Sequence, residues 1–148
     1  MKNQKYQLES DRSLLLFEFV SLGPKGRIVK IVQYTETNLK NVYNLGFGDK
    51  NEKTGEISDL VITNNGDSRQ VLATVASTVY AFTSKYPDAW IYAKGSNNAR
   101  TRLYRIGITN NLLEIKKDFE VFGLKDSQWH NFRKGIDYEA FLIKRKKQ

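Results

Sequence analysis

The chain has 148 residues, 40% of them apolar, 27% charged and 12% aromatic, which suits one globular domain burying roughly two thirds of its unfolded surface. Twenty-four Lys and Arg against sixteen Asp and Glu leave a formal charge of +8, a field that favours anionic partners such as nucleic acid or an acidic protein. Zero cysteines exclude disulfides, thiolate nucleophiles and Cys-ligated metals, the single His130 excludes any site with two imidazoles, and no stretch approaches the ~20 apolar residues of a membrane span. Residues 13–20 (Ser-Leu-Leu-Leu-Phe-Glu-Phe-Val) are an apolar run that ends at Gly23-Pro24-Lys25-Gly26, the pattern of a strand entering a tight turn. The β-branched run 27–34 completes a hairpin. Residues 42–47 place Tyr43, Leu45 and Phe47 on one face of a third strand, and residues 57–63 read as a fourth after a turn-rich stretch. Four successive strands predict an antiparallel meander.

From Ser68 the period changes, with Leu72, Val75, Ala76, Val79, Phe82 and Tyr86 at spacings of three and four. That stripe predicts an amphipathic helix, capped by Asp67 or Ser68 and stopped by Pro87. Residues 89–93 (Ala-Trp-Ile-Tyr-Ala) read as a short strand. A second helix is expected over 99–109, with Ala99, Leu103 and Ile106 on one face and Arg102, Arg105 and Thr109 on the other. Residues 112–115 and 119–122 then read as strand, 123–135 as loop or short helix, and 138–143 as a last strand. The basic tail 144–148 is expected to fray. The predicted fold class is α+β: a single domain with a mainly antiparallel sheet, an N-terminal four-strand meander and two helices.

The densest chemical signal is Lys94-Gly95-Ser96-Asn97-Asn98-Ala99-Arg100-Thr101-Arg102-Leu103-Tyr104-Arg105. A strand runs into a glycine, then three residues able to cap a helix, then three arginines in the first two turns. The unpaired N–H groups at a helix start carry partial positive charge, so the dipole disfavours arginine there. A bound phosphate or carboxylate would offset that cost through bidentate hydrogen bonds. Lys94, Ser96, Arg100, Arg102 and Arg105 are therefore the candidate anion-binding residues. In the alternative, these arginines pair with acids such as Glu114 or Glu120 and brace the helix on the sheet.

This segment, with Ile108, Asn111, Leu112, Glu114-Ile115 and residues 119–123, resembles an uncharacterised family of short proteins found in Bacteroidota, whose most specific part is the Ala-Arg-Thr-Arg-Leu-Tyr core. The resemblance covers most of the chain, implies a single α+β domain and transfers no activity or residue role. In topology, four strands and a long helix are similar to the unit of PUR and Whirly single-stranded nucleic-acid binders, in which bases stack on aromatic rings while Lys and Arg follow the phosphates. Tyr34, Tyr43, Phe47, Trp90 and Tyr92 lie on predicted strands here, with Lys30 and Lys94 nearby. Alternation by itself leaves open which face of the sheet is wet.

Two other patterns have enzymatic readings. Pro87-Asp88 followed by Glu114-Ile115-Lys116 resembles the signature of metal-dependent nucleases, which expects both parts on neighbouring strands. His130, between Trp129 and Asn131, has the residue type of a general base but no second base beside it in sequence. No catalytic or metal-binding residue is assigned, and no cofactor is expected. The leading expectation is a non-enzymatic binding protein for a polyanion, foremost nucleic acid. The alternatives are a toxin and antitoxin-like module that meets an acidic protein, and a small metal-dependent nuclease. The N-terminus, Met1-Lys2-Asn3-Gln4-Lys5-Tyr6, lacks the apolar core of a signal peptide, which suits a cytoplasmic protein without a membrane partner.

Overall fold

Four strands, Glu9–Ser10 (β1), Leu16–Gly23 (β2), Gly26–Glu36 (β3) and Val42–Asp49 (β4), pair antiparallel in that order in the computed structural model, which describes residues 4–58 and 62–147. Gly23 lies opposite Gly26, so Pro24 and Lys25 form a two-residue turn. Gly26 adopts φ +87°, a conformation that side chains disfavour. The four-strand meander therefore exists, with β2, β3 and β4 as the first three expected strands and β1, paired with β2, as its fourth member; the expected fourth strand was the run at 57–63. Residues 59–61 of that run lie outside the described residues, and Ile57 makes only an isolated bridge to Lys50.

The long helix Ser68–Lys85 (α1) follows the predicted stripe, with Leu72, Val75, Val79 and Phe82 buried. Its cap differs from expectation. Asp67 stands at the N-cap position but makes no side-chain cap bond; its carboxylate accepts hydrogen bonds from Tyr6 Oη and Ser21 Oγ, each at 2.5 Å. Asn65 beside it donates to Gly26 O at 2.9 Å and accepts from Lys25 N at 2.7 Å, clamping the helix start to the β2–β3 turn.

Trp90–Ala93 (β5) then lies parallel to β4. Parallel strands need a long crossover, which the segment through α1 supplies. The helix Asn98–Asn110 (α2) is as expected in extent, but it buries Thr101, Gly107 and Ile108 and not the predicted Ala99, Leu103 and Ile106 face. Residues 112–115, expected as strand, belong to a third helix, Leu112–Asp118 (α3). Leu112 and Ile115 are three apart, so one helical turn buries both where a strand would split them between faces, and the chain turns extended at Phe119, itself buried at the start of the next strand. Phe119–Lys125 (β6), Gln128–Asn131 (β7) and Ala140–Arg145 (β8) complete the sheet, whose order is β1-β2-β3-β4-β5-β8-β6-β7. β7 and part of β6 occupy the stretch 123–135 expected as loop or short helix.

The three helices share one face of this sheet. A small cavity of about 50 Å³ is lined together by Val79 of α1, Tyr104 of α2, Ile115 of α3 and the strand residues Leu45, Ala93 and Ile143. Of the tail expected to fray, Gln148 lies outside the described residues, and the first three residues are held by the fold. Lys144 and Arg145 are strand residues, Arg145 Nε donates to Thr83 Oγ1 at 3.0 Å, and Lys146 N donates to Asp118 O at 2.8 Å.

Candidate polyanion-binding site

β5 stops at Ala93, opposite Leu45, while β4 runs on to Asp49. The chain leaves the sheet there through Lys94 and turns straight into α2. Asn97 is the residue that caps this helix. In extended conformation it accepts a hydrogen bond from Arg100 N at 2.9 Å through Oδ1. Thr101 Oγ1 accepts from Gly95 N at 3.0 Å and donates to Asn97 O at 3.1 Å, so the turn is folded tightly onto the helix start. Gly95 is needed for that approach: a Cβ there would lie 2.4 Å from Thr101 N and 2.5 Å from Arg100 Cβ. Gly95→Ala must push the turn off the helix, and a loss of about 1–3 kcal/mol is expected in urea unfolding, the usual cost of overpacking.

Two open clefts flank the Lys94-Gly95 segment. One, about 630 Å³, is lined by Lys94, Asn97, Asn98, Arg102 and Arg105, with Asp137 among the residues opposite. The other, about 460 Å³, is lined by Lys94, Gly95, Arg100 and Tyr104 against Asn44 and Glu56. The first turn of α2 has no acidic residue. Among the described residues, Arg100 and Arg102 have no carboxylate partner, and neither pairs with Glu114 or Glu120. Arg105 is different: it forms an ion pair at 2.6 Å with Asp137, tying α2 to the loop before β8. Ser96 is exposed and lines neither cleft. Burial pushes the Tyr104 phenol up, with the nearby Arg100 guanidinium pulling the other way. Tyr104 is thus a neutral wall beside Arg100, a position that the mixed spacing of α2 had not revealed.

The predicted aromatics divide between the two faces of the sheet. Tyr34, Tyr43 and Phe47 turn toward the helices, where the Tyr34 ring stacks on Phe82 at 4.1 Å. Trp90 and Tyr92 alternate with buried Ile91 and Ala93 and so point to the helix-free face. Asp88 lies in the turn between α1 and β5, and Glu114 lies in the first turn of α3, not on a neighbouring strand. Among the described residues no group of three His, Asp or Glu comes together to hold a metal ion. His130 is exposed on β7, opposite Gly123. No helix among the described residues is long and apolar enough to cross a membrane.

Neither a curated protein nor a solved structure matches the chain. One family model does, over residues 2–146, which takes in every strand and helix of the sheet and both clefts beside Lys94. The chain therefore belongs to the family of unknown function DUF6934.

Proposed function

We propose that this protein binds a polyanion, foremost nucleic acid, through the phosphates. The observation that supports this reading is the pair of arginines without a carboxylate partner among the described residues, Arg100 and Arg102, in the first turns of α2 and facing two clefts that share Lys94. The helix start adds partial positive charge, so the arrangement suits an anion and is poorly explained as a brace. Arg105 supports the site indirectly, since its pairing with Asp137 fixes the helix against the neighbouring loop. Phosphate contacts of this kind give affinity without sequence preference.

The test is fluorescence anisotropy with labelled single-stranded DNA, single-stranded RNA and duplex DNA, at low salt and near 150 mM, where weak non-specific attraction to a +8 protein is largely screened. Binding is expected to persist at the higher salt. Arg100→Glu combined with Arg102→Glu should weaken it by about tenfold or more and flatten the salt dependence by about one logarithmic unit per lost contact. Loss of all binding near 150 mM salt, or unchanged affinity in a folded double variant, overturns the reading and favours an acidic protein as partner.

A further inference from the structure

The helix-free face of β5, β8, β6 and β7 is not a polar surface. Strand register places Trp90 and Tyr92 of β5, Leu142 and Lys144 of β8, and Phe122 of β6 side by side on it, each half-buried. Trp129 of β7 stands at the edge, 42% exposed. Trp90 and Phe122 have ring centroids 6.1 Å apart, and Tyr92 and Trp129 meet edge-on at 6.3 Å. The Lys144 ammonium lies 5.3 Å from the Trp90 ring centre. Both tryptophans of the chain are thus on this one surface. A contiguous aromatic patch left open to water is a mark of a binding surface.

Its chemistry points to one occupant. Lys144 sits over the patch, and Lys94, the cation shared by the two clefts, follows Tyr92 by two residues along the chain. Glu120 is the one carboxylate among the strand residues on this part of the face. Rings bordered by cations suit a ligand with flat π-faces on an anionic backbone. We infer that this face is a stacking platform for the unpaired bases of single-stranded nucleic acid, whose phosphates pass to Lys94 and Arg100. The inference rests on the polyanion reading and narrows it, because duplex bases are already stacked on one another and cannot lie on the rings.

Short oligothymidylate and a duplex of the same length, titrated against the intact chain near 150 mM salt, separate the possibilities, with anisotropy and intrinsic tryptophan fluorescence read together. The single strand is expected to bind about tenfold more tightly than the duplex and to quench the tryptophans. Trp90→Ala should weaken single-strand binding about tenfold and leave duplex binding unchanged. Trp129→Leu, at the more exposed position, makes the same test should Trp90→Ala fail to fold. Equal affinity for both forms with unquenched tryptophans overturns the platform while leaving the phosphate reading intact. Absence of binding to either form removes both. Concentration-dependent self-association that shields the tryptophans without any nucleic acid assigns the face to a second copy of the chain and also overturns the inference.

Discussion

Asp49→Ala is expected to destabilise the protein by about 3–5 kcal/mol, the cost of leaving a buried charge without its partner. Lys30 is 1% exposed on the helix side of β3, and its ammonium donates to the Asp49 carboxylate and to Thr63 O at 2.8 Å. Asp49 in turn accepts from Thr63 N at 3.0 Å through its second oxygen. The pair therefore satisfies itself and also pins the returning segment at Thr63 beside β4. Single domains are stable by only ~5–15 kcal/mol, so the variant should lose a large share of the total and unfold at a much lower urea concentration. The double variant Lys30→Met, Asp49→Leu removes both charges and should recover most of the loss, since an apolar pair of similar volume is often neutral. A single variant within about 1 kcal/mol of the parent would show that Lys30 reaches water when Asp49 is gone.

The second large effect is unfolding at alkaline pH. Burial raises the phenols of Tyr34, Tyr104, Tyr80, Tyr6 and Tyr43, that of Tyr80 to about 12, where the Asp118 carboxylate bonded to it adds to the shift. A tyrosine whose folded pKa lies above its unfolded value of about 10 gives up its proton more readily when unfolded. Its contribution is thus complete below about pH 10 and is lost as pH rises toward the folded value. Several such groups in one small core should give a cooperative loss of structure above about pH 10, measurable by circular dichroism. Tyr34 is the most telling: it is buried, stacked on Phe82, and its hydroxyl lies 2.7 Å from Thr78 Oγ1. Tyr34→Phe removes the titrating group and should shift the alkaline midpoint upward relative to the stability of that variant at neutral pH. An unchanged midpoint would mean that other groups drive the transition.

Most of the fold was legible because its signals are local. The stripe from Leu72 to Phe82 is a helix wherever it packs, and Gly23-Pro24-Lys25-Gly26 is a hairpin turn from its own residues. The failures share one cause, a dependence on what lies across space. The four residues 112–115 are too few to show a period, and the apolar Leu112, Leu113 and Ile115 among them read as strand although the helix runs on through the polar residues to Asp118. The two residues of β1 pair with β2 although they have no apolar alternation of their own. In the candidate site, the sequence located the cationic turn but not the division of labour within it. Among the described residues Arg100 and Arg102 stay without a carboxylate, while Arg105 is taken by Asp137 from a distant loop.

By itself, then, the sequence determined an α+β chain with a basic strand-to-helix turn, because periodicity, turn residues and charge act over a few neighbouring positions. Only the tertiary structure decided that Tyr34, Tyr43 and Phe47 lie under the helices while Trp90 and Tyr92 lie on the open face. Both sets alternate in the same way along their strands. Which side is covered depends on where α1, α2 and α3 pack and on the parallel pairing of β4 with β5, and that choice belongs to long-range register, not to any local pattern.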